Sequence, residues 1–257
     1  MWSRDREQQR LAMSRRASPL VDESDADGSE ERFARLSDTS RVEAFSDGVF
    51  AIVITLLILD LGVPDVAPGG LREGLLTQWP AYVAYLTSFL YVGIVWQNHH
   101  AAFSRIRYID RGLHWVNLAI LFTAALLPFP TAVVSYAVQR GVASTDARTA
   151  VAFYAMIGVL LCASWYAFFR YLATHPRLLE DDVEPRFFHN ECRRAALGCG
   201  LYLLAGFAGY VLAPVVALVV FFLIPAFYGV TSQGMAELHD AFRRPTAIRR
   251  RRADADQ

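Results

Sequence analysis

Apolar residues fall into six long blocks that polar stretches separate. The blocks are Ala44–Leu61, Trp79–Gln97, Leu113–Val138, Thr149–Leu172, Ala195–Leu212 and Pro214–Val230. Each has roughly 17–26 residues and few charges, which is enough to cross the ~30 Å hydrocarbon core of a bilayer as a helix. Only helices and closed β-barrels satisfy their backbone hydrogen bonds in lipid, and the blocks lack the alternation of apolar and polar residues that a barrel requires. The pattern predicts an all-α fold, a six-span transmembrane helical bundle.

The polar flanks lie outside this bundle. Residues 1–38 are rich in Arg, Asp, Glu and Ser, a composition typical of a disordered tail. We therefore expect a tail over residues 1–38, a six-helix transmembrane domain over 39–235 and a basic tail over 236–257. The RRRR run at 249–252 is typical of a segment that binds anionic lipid headgroups, and equally of a solvated tail that reinforces topology.

The distribution of basic residues predicts the orientation in the membrane. All 25 basic residues are Arg. Alternate sides of the six predicted spans carry 22 and 3 of them. Because cytoplasmic loops carry the excess of basic residues, both termini are predicted to be cytoplasmic in a multi-pass membrane protein.

Signatures of enzymes are absent from the sequence. It contains no HExxH, CxxC, GxSxG or GxxxxGK[ST] motif. His99 and His100 are adjacent, so on a helix they point about 100° apart and do not chelate one metal as i,i+4 histidines do. We expect no enzyme, no bound metal or cofactor, and no nucleic-acid partner.

Polar residues gather where the first three predicted spans reach the cytoplasmic side. They are Arg41, Ser46 and Asp47 at span one, Trp96, Asn98, His99 and His100 at span two, and Asp110, His114 and Asn117 at span three. Ionisable residues in membrane helices indicate function and a paired partner, here Arg41 with Asp47 or Asp110. Two plainer interpretations stay open: Ser46 and Asp47 as a helix N-cap, and Trp96 as an interfacial anchor.

One face of the first span carries a stripe of related side chains. Ile52, Thr55, Leu56 and Leu59 follow the i, i+3, i+4, i+7 spacing of a single helix face. The stripe either lines a path through the membrane or packs against neighbouring helices, with the Thr55 hydroxyl bonded to a carbonyl one turn earlier. Periodicity alone favours packing against neighbouring helices.

Two motifs connect the chain to a known family. The first is R-x-x-x-F-S-D-G-x-x-x-I-x-x-T-L-x-x-L from Arg41 to Leu59. The second begins W-x-x-H-H-x-x-F at Trp96, continues through Asp110 and Asn117, and is followed by P-F-P-T at 128–131. Together they resemble the bacterial relatives of transmembrane protein 175, the endosomal and lysosomal potassium-channel family, over roughly residues 38–235.

The resemblance implies a function and an assembly. It implies an atypical potassium channel of a bacterial cell membrane, a homotetramer whose pore is lined by the first helix, with K⁺, further copies of the chain and membrane lipids as partners. The constriction then falls on Ile52, with further layers at Leu56 and Leu59 and an ion-facing Thr55. The remaining motif residues form a structural network: Arg41, Phe45, Ser46, Asp47, His100, Asp110 and Asn117.

Selectivity in such a channel cannot come from a carbonyl filter, because the chain lacks TVGYG. A ring of four Ile52 side chains makes a neck that opens and closes by wetting. The alternative function is a proton-coupled carrier or a proton pathway through Asp47, His99, His100, Asp110 and His114.

Overall fold

Nearly all of the described chain is helical. The computed structural model describes residues 23–181, 183 and 185–231, and for 23–38, 185–186 and 230–231 it describes the backbone alone. The α-helices are α1 (Glu23–Leu56), α2 (Leu71–Thr77), α3 (Trp79–Phe103), α4 (Arg111–Ala125), α5 (Pro128–Arg140), α6 (Thr145–Thr174), α7 (Pro185–Val211) and α8 (Pro214–Thr231). A 3₁₀ segment, Leu57–Asp60, extends α1, and a second, Pro176–Leu178, follows α6. Within the described ranges there is no strand, and β-pairing is limited to one bridge between Ile106 and Leu179.

Five stretches of the described chain are long and apolar enough to cross a membrane. They are Thr39–Asp60, Trp79–Phe103, Arg111–Arg140, Thr145–Thr174 and Phe187–Val211. The last apolar helix, Pro214–Gly229, is shorter than these five. The prediction of an all-α membrane fold is confirmed, whereas the sixth span stays a prediction that rests on α8.

The third predicted span is broken in the middle. Helix α4 ends at Ala125 and α5 begins at Pro128. Pro128 and Pro130 have no N–H to donate to the carbonyls one turn earlier, which explains a break at this point. Turn-like bonds from Leu127 N to Ala124 O and from Phe129 N to Leu126 O replace the regular helical pattern.

Helix α1 begins before the first apolar block. Its backbone is helical from Glu23, where the composition predicts a disordered tail up to residue 38. Propagating an existing helix needs one bond per added residue, so a stable membrane segment can carry polar residues along with it. Residues 1–22 of the predicted tail, and the predicted basic tail 236–257, lie outside the described residues.

The core of the bundle centres on α6, which packs against α4, α5 and α7. A Cβ added at Gly158 of α6 would meet the Tyr202 ring of α7. The missing side chain therefore permits the close helix approach that membrane proteins use in place of hydrophobic packing. Toward the end of the bundle that holds Asn117, Phe103, Trp165 and Phe168 form an aromatic cluster against which the candidate site lies.

Candidate functional site on the first helix

Helix α1 presents one exposed stripe and one buried stripe. Phe45, Ile52 and Leu59 follow at seven-residue spacing, and each is more than half exposed, with Leu59 reaching 73%. Leu56 is 42% exposed, and Thr55 and Gly48 lie exposed on the same side. All the residues predicted to line a pore therefore share one face that no other described helix of the same chain covers.

The opposite face of α1 is packed into the bundle. Phe50 and Val53 are 2% exposed, and Ser46 and Leu57 are fully buried. These residues recur at the three- and four-residue intervals of one helix face, so they determine the rotation of α1 about its axis. Burial of this face leaves the Ile52 side facing outward.

A chain of buried hydrogen bonds ties α1 to α4 and α3. Asn117 Nδ2 donates to Ser46 Oγ at 3.1 Å, and Asn117 Oδ1 lies 2.8 Å from His99 Nε2. Ser46 Oγ in turn donates to the Val42 carbonyl at 2.8 Å. Since all three side chains are at most 2% exposed, no water competes for these bonds.

The direction of the chain determines the tautomer of His99. Ser46 has one hydroxyl hydrogen, and the Val42 carbonyl accepts it, so Ser46 must accept from the Asn117 amide nitrogen. The Asn117 carbonyl oxygen then faces His99, and an amide oxygen only accepts. His99 is therefore protonated on Nε2, and its buried Nδ1 has no hydrogen-bond partner among the described residues.

Aromatic rings enclose the His99 imidazole. It stacks on Phe103 with ring centroids 4.3 Å apart, and it makes T-shaped contacts with Phe50 and Trp165. Such packing leaves no room for the ring to turn toward water. His99 is thus a structural link between α3 and the back of α1, which the pattern of polar residues indicated only as one of several histidines.

Two further side-chain pairs join α1 to α3 nearer the surface. Trp96 Nε1 donates to Asp47 Oδ1 at 2.8 Å, and His100 Nδ1 lies 2.8 Å from Glu43 Oε1. The two pairs lie one helical turn apart on each helix, and their order is reversed between the helices, as in an antiparallel contact. Trp96 therefore binds an α1 carboxylate in addition to lying 43% exposed as an interfacial anchor would.

The predicted pairing of Arg41 is not formed within one copy of the chain. Among the described side chains no ion pair or hydrogen bond joins Arg41 to Asp47 or Asp110, and Arg41 is exposed. The N-cap interpretation of Ser46 and Asp47 is wrong, because both lie well inside α1. The physical reason is that the helix propagates toward the N-terminus, so α1 begins upstream of the motif at Glu23.

Asp110 belongs to a different local structure. It caps α4 by accepting from Leu113 N at 2.9 Å, and both its oxygens accept from the Tyr171 hydroxyl at 3.0 and 2.9 Å. A Cβ on Gly112 would collide with that hydroxyl, so glycine makes the contact possible. Burial acts to raise the pKa of Asp110, but the bonds from Leu113 and Tyr171 outweigh it, and the pKa lies below its ordinary value.

Thr55 makes the local bonds that the plainer interpretation predicts. Its hydroxyl donates to the carbonyls of Ala51 and Ile52, at 3.0 and 2.8 Å. The hydrogen therefore points back along the helix, and the oxygen lone pairs point away from it. An exposed hydroxyl in this orientation can still offer its oxygen to a cation.

Sequence reasoning did not identify three of the side-chain contacts at this site. Glu43 pairs with His100, Tyr171 with Asp110, and Trp96 with Asp47. The i,i+4 spacing of Glu43 with Asp47, and of Trp96 with His100, was a usable signal for the first and third. Tyr171 lies 61 positions from Asp110, and no local pattern indicates that contact.

The chain is similar to known ion channels over most of its length. The family model described as the endosomal/lysosomal potassium channel TMEM175 matches residues 41–128, which include the Ser46, His99 and Asn117 cluster. A potassium channel of Streptomyces collinus is 40% identical over 195 residues, 76% of this chain and 93% of that relative.

A solved structure shares the fold. The crystal structure of a lysosomal potassium-selective channel TMEM175 homolog from Chamaesiphon minutus aligns with a TM-score of 0.65 and 33% identity, over 76% of this chain and 97% of that one. The human endosomal/lysosomal proton channel TMEM175 is 43% identical over 96 residues, 34% of this chain and 19% of the human protein.

Proposed function

This chain belongs to the TMEM175 family, and from that membership we propose that it is a potassium-permeable channel of four copies, with α1 of each copy lining the pore. As a family member it is an ion channel and not an enzyme. The relatives from Streptomyces and Chamaesiphon are named as potassium channels, which supports K⁺ as the permeant ion. One copy cannot enclose a pore with a single helix, so the proposal requires the assembly.

The exposed stripe of α1 is the observation that carries this proposal. The opposite face of α1 is buried in the bundle at Ser46, Phe50, Val53 and Leu57. The exposed stripe must therefore face something outside the chain. A charged side chain such as Arg41 is costly in hydrocarbon, so a face that carries it is poorly suited to lipid. A face that alternates apolar layers with Thr55 suits a narrow path for an ion.

The proposed gate is the Ile52 layer. Four Ile52 side chains around an axis form a ring without polar atoms, and such rings exclude water until the pore widens. Leu56 lies about 6 Å further along the helix and repeats the layer. Thr55 supplies oxygen lone pairs beside the neck, where an ion has lost part of its hydration shell.

Arg41 lies on the same face of α1, and its positive charge would repel cations if it lay at the constriction. It is 11 positions from Ile52, a separation of about 16 Å along a helix. The Debye length at physiological salt is about 8 Å, so electrolyte in the mouth of the pore screens part of the Arg41 charge before the neck begins. We therefore assign Arg41 to the mouth of the pore and not to the barrier.

Ile52→Asn tests the proposal. The purified protein is reconstituted in liposomes, and the reversal potential is measured under opposed K⁺ and Na⁺ gradients. We expect a cation current in the wild type, and a larger, less selective current in Ile52→Asn because a polar ring stays wet. Leu204→Asn on α7 is the matched control, since Leu204 is 68% exposed and lies away from α1. The proposal fails if the wild type passes no cation current, or if both variants change it equally.

Proton permeation is the second candidate, and the name of the human relative favours it. The Ser46, Asn117 and His99 chain does not supply the path, because it ends on the Val42 carbonyl and all its members are buried. A proton current would therefore have to follow the α1 face. The same liposomes under a pH gradient at equal K⁺ measure it directly.

We also propose that both termini face the cytoplasm of a bacterial cell. The support is the excess of Arg on one side of the predicted spans. A single cysteine placed in the 142–144 turn should react with an impermeant maleimide added to intact cells. Reaction only after the cells are broken would reverse the orientation.

A further inference from the structure

Two of the three cysteines meet inside the bundle. Cys162 lies on α6 and Cys199 on α7, and both thiols are free. The two thiol groups are close enough to interact directly. Cys162 is 5% exposed, and Cys199 is partly exposed. The third cysteine, Cys192, lies seven positions before Cys199 on α7, about 10 Å along the helix axis, which is too far for it to join the pair.

A glycine on α7 makes this contact possible. A Cβ added at Gly198 would lie 2.9 Å from Cys162 Sγ, so a larger residue would push that sulfur away. From α7, Cys199 Sγ donates to the Val159 carbonyl of α6, 3.8 Å away. Val159 precedes Cys162 by three residues, so its carbonyl and the Cys162 side chain lie on the same part of α6. The two sulfurs therefore approach each other across the α6–α7 interface.

A small cavity adjoins the pair. Its volume is about 50 Å³, and Cys162 lines it together with Asn98 of α3, Trp165 of α6 and Tyr228 of α8. A water molecule needs about 10–15 Å³ of such space, so the cavity has room for an ion beside the Cys162 sulfur. The hydrogen bonds of thiols are weak, because S–H is a poor donor and sulfur is a poor acceptor. A ligand that replaces the two thiol protons therefore disrupts little.

Two thiolates without a third ligand select one class of metal ion. In the described part of the chain no group of three His, Cys, Asp or Glu side chains comes together, so an ion that needs four ligands, such as Zn²⁺, has no site here. Thiolate sulfur is a soft ligand, which prefers soft metals to K⁺ or Mg²⁺. Hg²⁺ is a soft ion that takes two thiolates in a straight line. The cysteine pair supplies that ligand set.

The charge of the product also favours a divalent ion. HgCl₂ and the two thiols form two S–Hg bonds and break two Hg–Cl bonds, releasing two chloride ions and two protons to water. The resulting bis-thiolate complex of Hg²⁺ is neutral, whereas that of Cu⁺ or Ag⁺ keeps one negative charge. Cys162 lies 12 residues before the end of α6 at Thr174, about 18 Å along the helix and deep in an apolar span. An uncompensated charge is costly at that depth.

We propose that Cys162 and Cys199 form a binding site for a soft divalent ion that takes two ligands, with Hg²⁺ as its representative. The bound ion joins α6 to α7 through two metal–sulfur bonds. K⁺ is a hard ion that prefers oxygen ligands, so it does not compete for the thiolates. The site is therefore separate from the proposed pore on α1.

Retention of mercury by the purified full-length protein tests the proposal. The protein is reduced with a phosphine in detergent, freed of the reductant and incubated with HgCl₂. It is then passed through a desalting column that contains a moderate excess of free cysteine, and mercury in the eluate is measured by elemental mass spectrometry. We expect one Hg²⁺ per chain in the wild type, because a paired site holds the ion against a competitor that removes it from a single thiol.

Three serine variants identify the ligands. Cys162→Ser and Cys199→Ser should each retain at least tenfold less mercury than the wild type. Cys192→Ser is the matched control, since it removes a cysteine from α7 outside the pair and should retain as much as the wild type. If Cys162→Ser does not fold, Cys199→Ser alone decides, because it changes a partly exposed position. A wild type that retains no mercury would overturn the proposal, and so would equal retention in the three variants.

Discussion

Replacing Asn117 with leucine removes the centre of the buried chain that orients α1. Leucine is close to asparagine in size, so the change creates little cavity. Ser46 keeps the bond that it donates to the Val42 carbonyl and loses only the bond that it accepted from Asn117. His99 loses more, because its Nε2–H is fully buried and then has no acceptor.

The expected cost follows from that one orphaned donor. A buried donor left unpaired costs about 1–3 kcal/mol, whereas measured interhelical hydrogen bonds in a membrane protein reach only about 1.7 kcal/mol. We therefore expect a loss of about 1–2 kcal/mol, a factor of roughly 5–30 in the ratio of folded to unfolded protein. For a protein of this size that lowers the Tm by about 2–8 °C.

The assay is thermal unfolding in detergent, followed by tryptophan fluorescence at one fixed heating rate. His99 already packs as an aromatic ring against Phe50, Phe103 and Trp165, so His99→Phe should fit the same space. Removing both partners costs less than orphaning one. The double variant Asn117→Leu/His99→Phe should therefore recover at least half of the loss in Tm.

An additive double variant would refute this reasoning, since the cost would then come from packing and not from the unpaired N–H. Thr149→Val serves as the control, because it removes an exposed helix hydroxyl bonded only to the Thr145 carbonyl. It should shift the free energy of unfolding by no more than about 0.5 kcal/mol.

Three other outcomes are expected. Thr55→Val keeps the shape of the α1 face and removes its oxygen, so the K⁺/Na⁺ permeability ratio should fall without loss of current, as reversal potentials would reveal; an unchanged ratio would remove Thr55 from the ion path. Asp110→Ala should cost about 0.5–2 kcal/mol through the lost helix cap, whereas Asp110→Asn retains the cap and should cost less in the same thermal assay. Because the folded pKa of Asp110 lies below its ordinary 3.8, its contribution is present above that pH and is lost as the pH falls through the lower value, so the wild type should lose stability in acid relative to Asp110→Asn. Arg148 donates to the carbonyls of Tyr210, Val211 and Leu212 at the end of α7, so Arg148→Gln should lower the Tm, and an unchanged Tm would make this contact dispensable.

The polar end of the bundle illustrates what local patterns can predict. Ser46 and Asn117 are buried together, as the gathering of polar residues at one depth indicated. The specific partners were assigned incorrectly, because Arg41, Asp47 and Asp110 do not pair, and each carboxylate has a different donor. Spacing shows that residues share a level, but the choice among several donors at that level depends on helix rotation and tilt.

The sequence by itself determined the membrane class, the helical fold and the face of α1 that carries Ile52, Thr55 and Leu59. Hydrophobic length and helical periodicity are properties of neighbouring residues, so they need no knowledge of the rest of the chain. Only the tertiary structure decided that His99 is the buried member of its pair and that Tyr171 reaches Asp110. Those features depend on how helices far apart in sequence pack against one another, and the same apolar surface could have been buried in other registers.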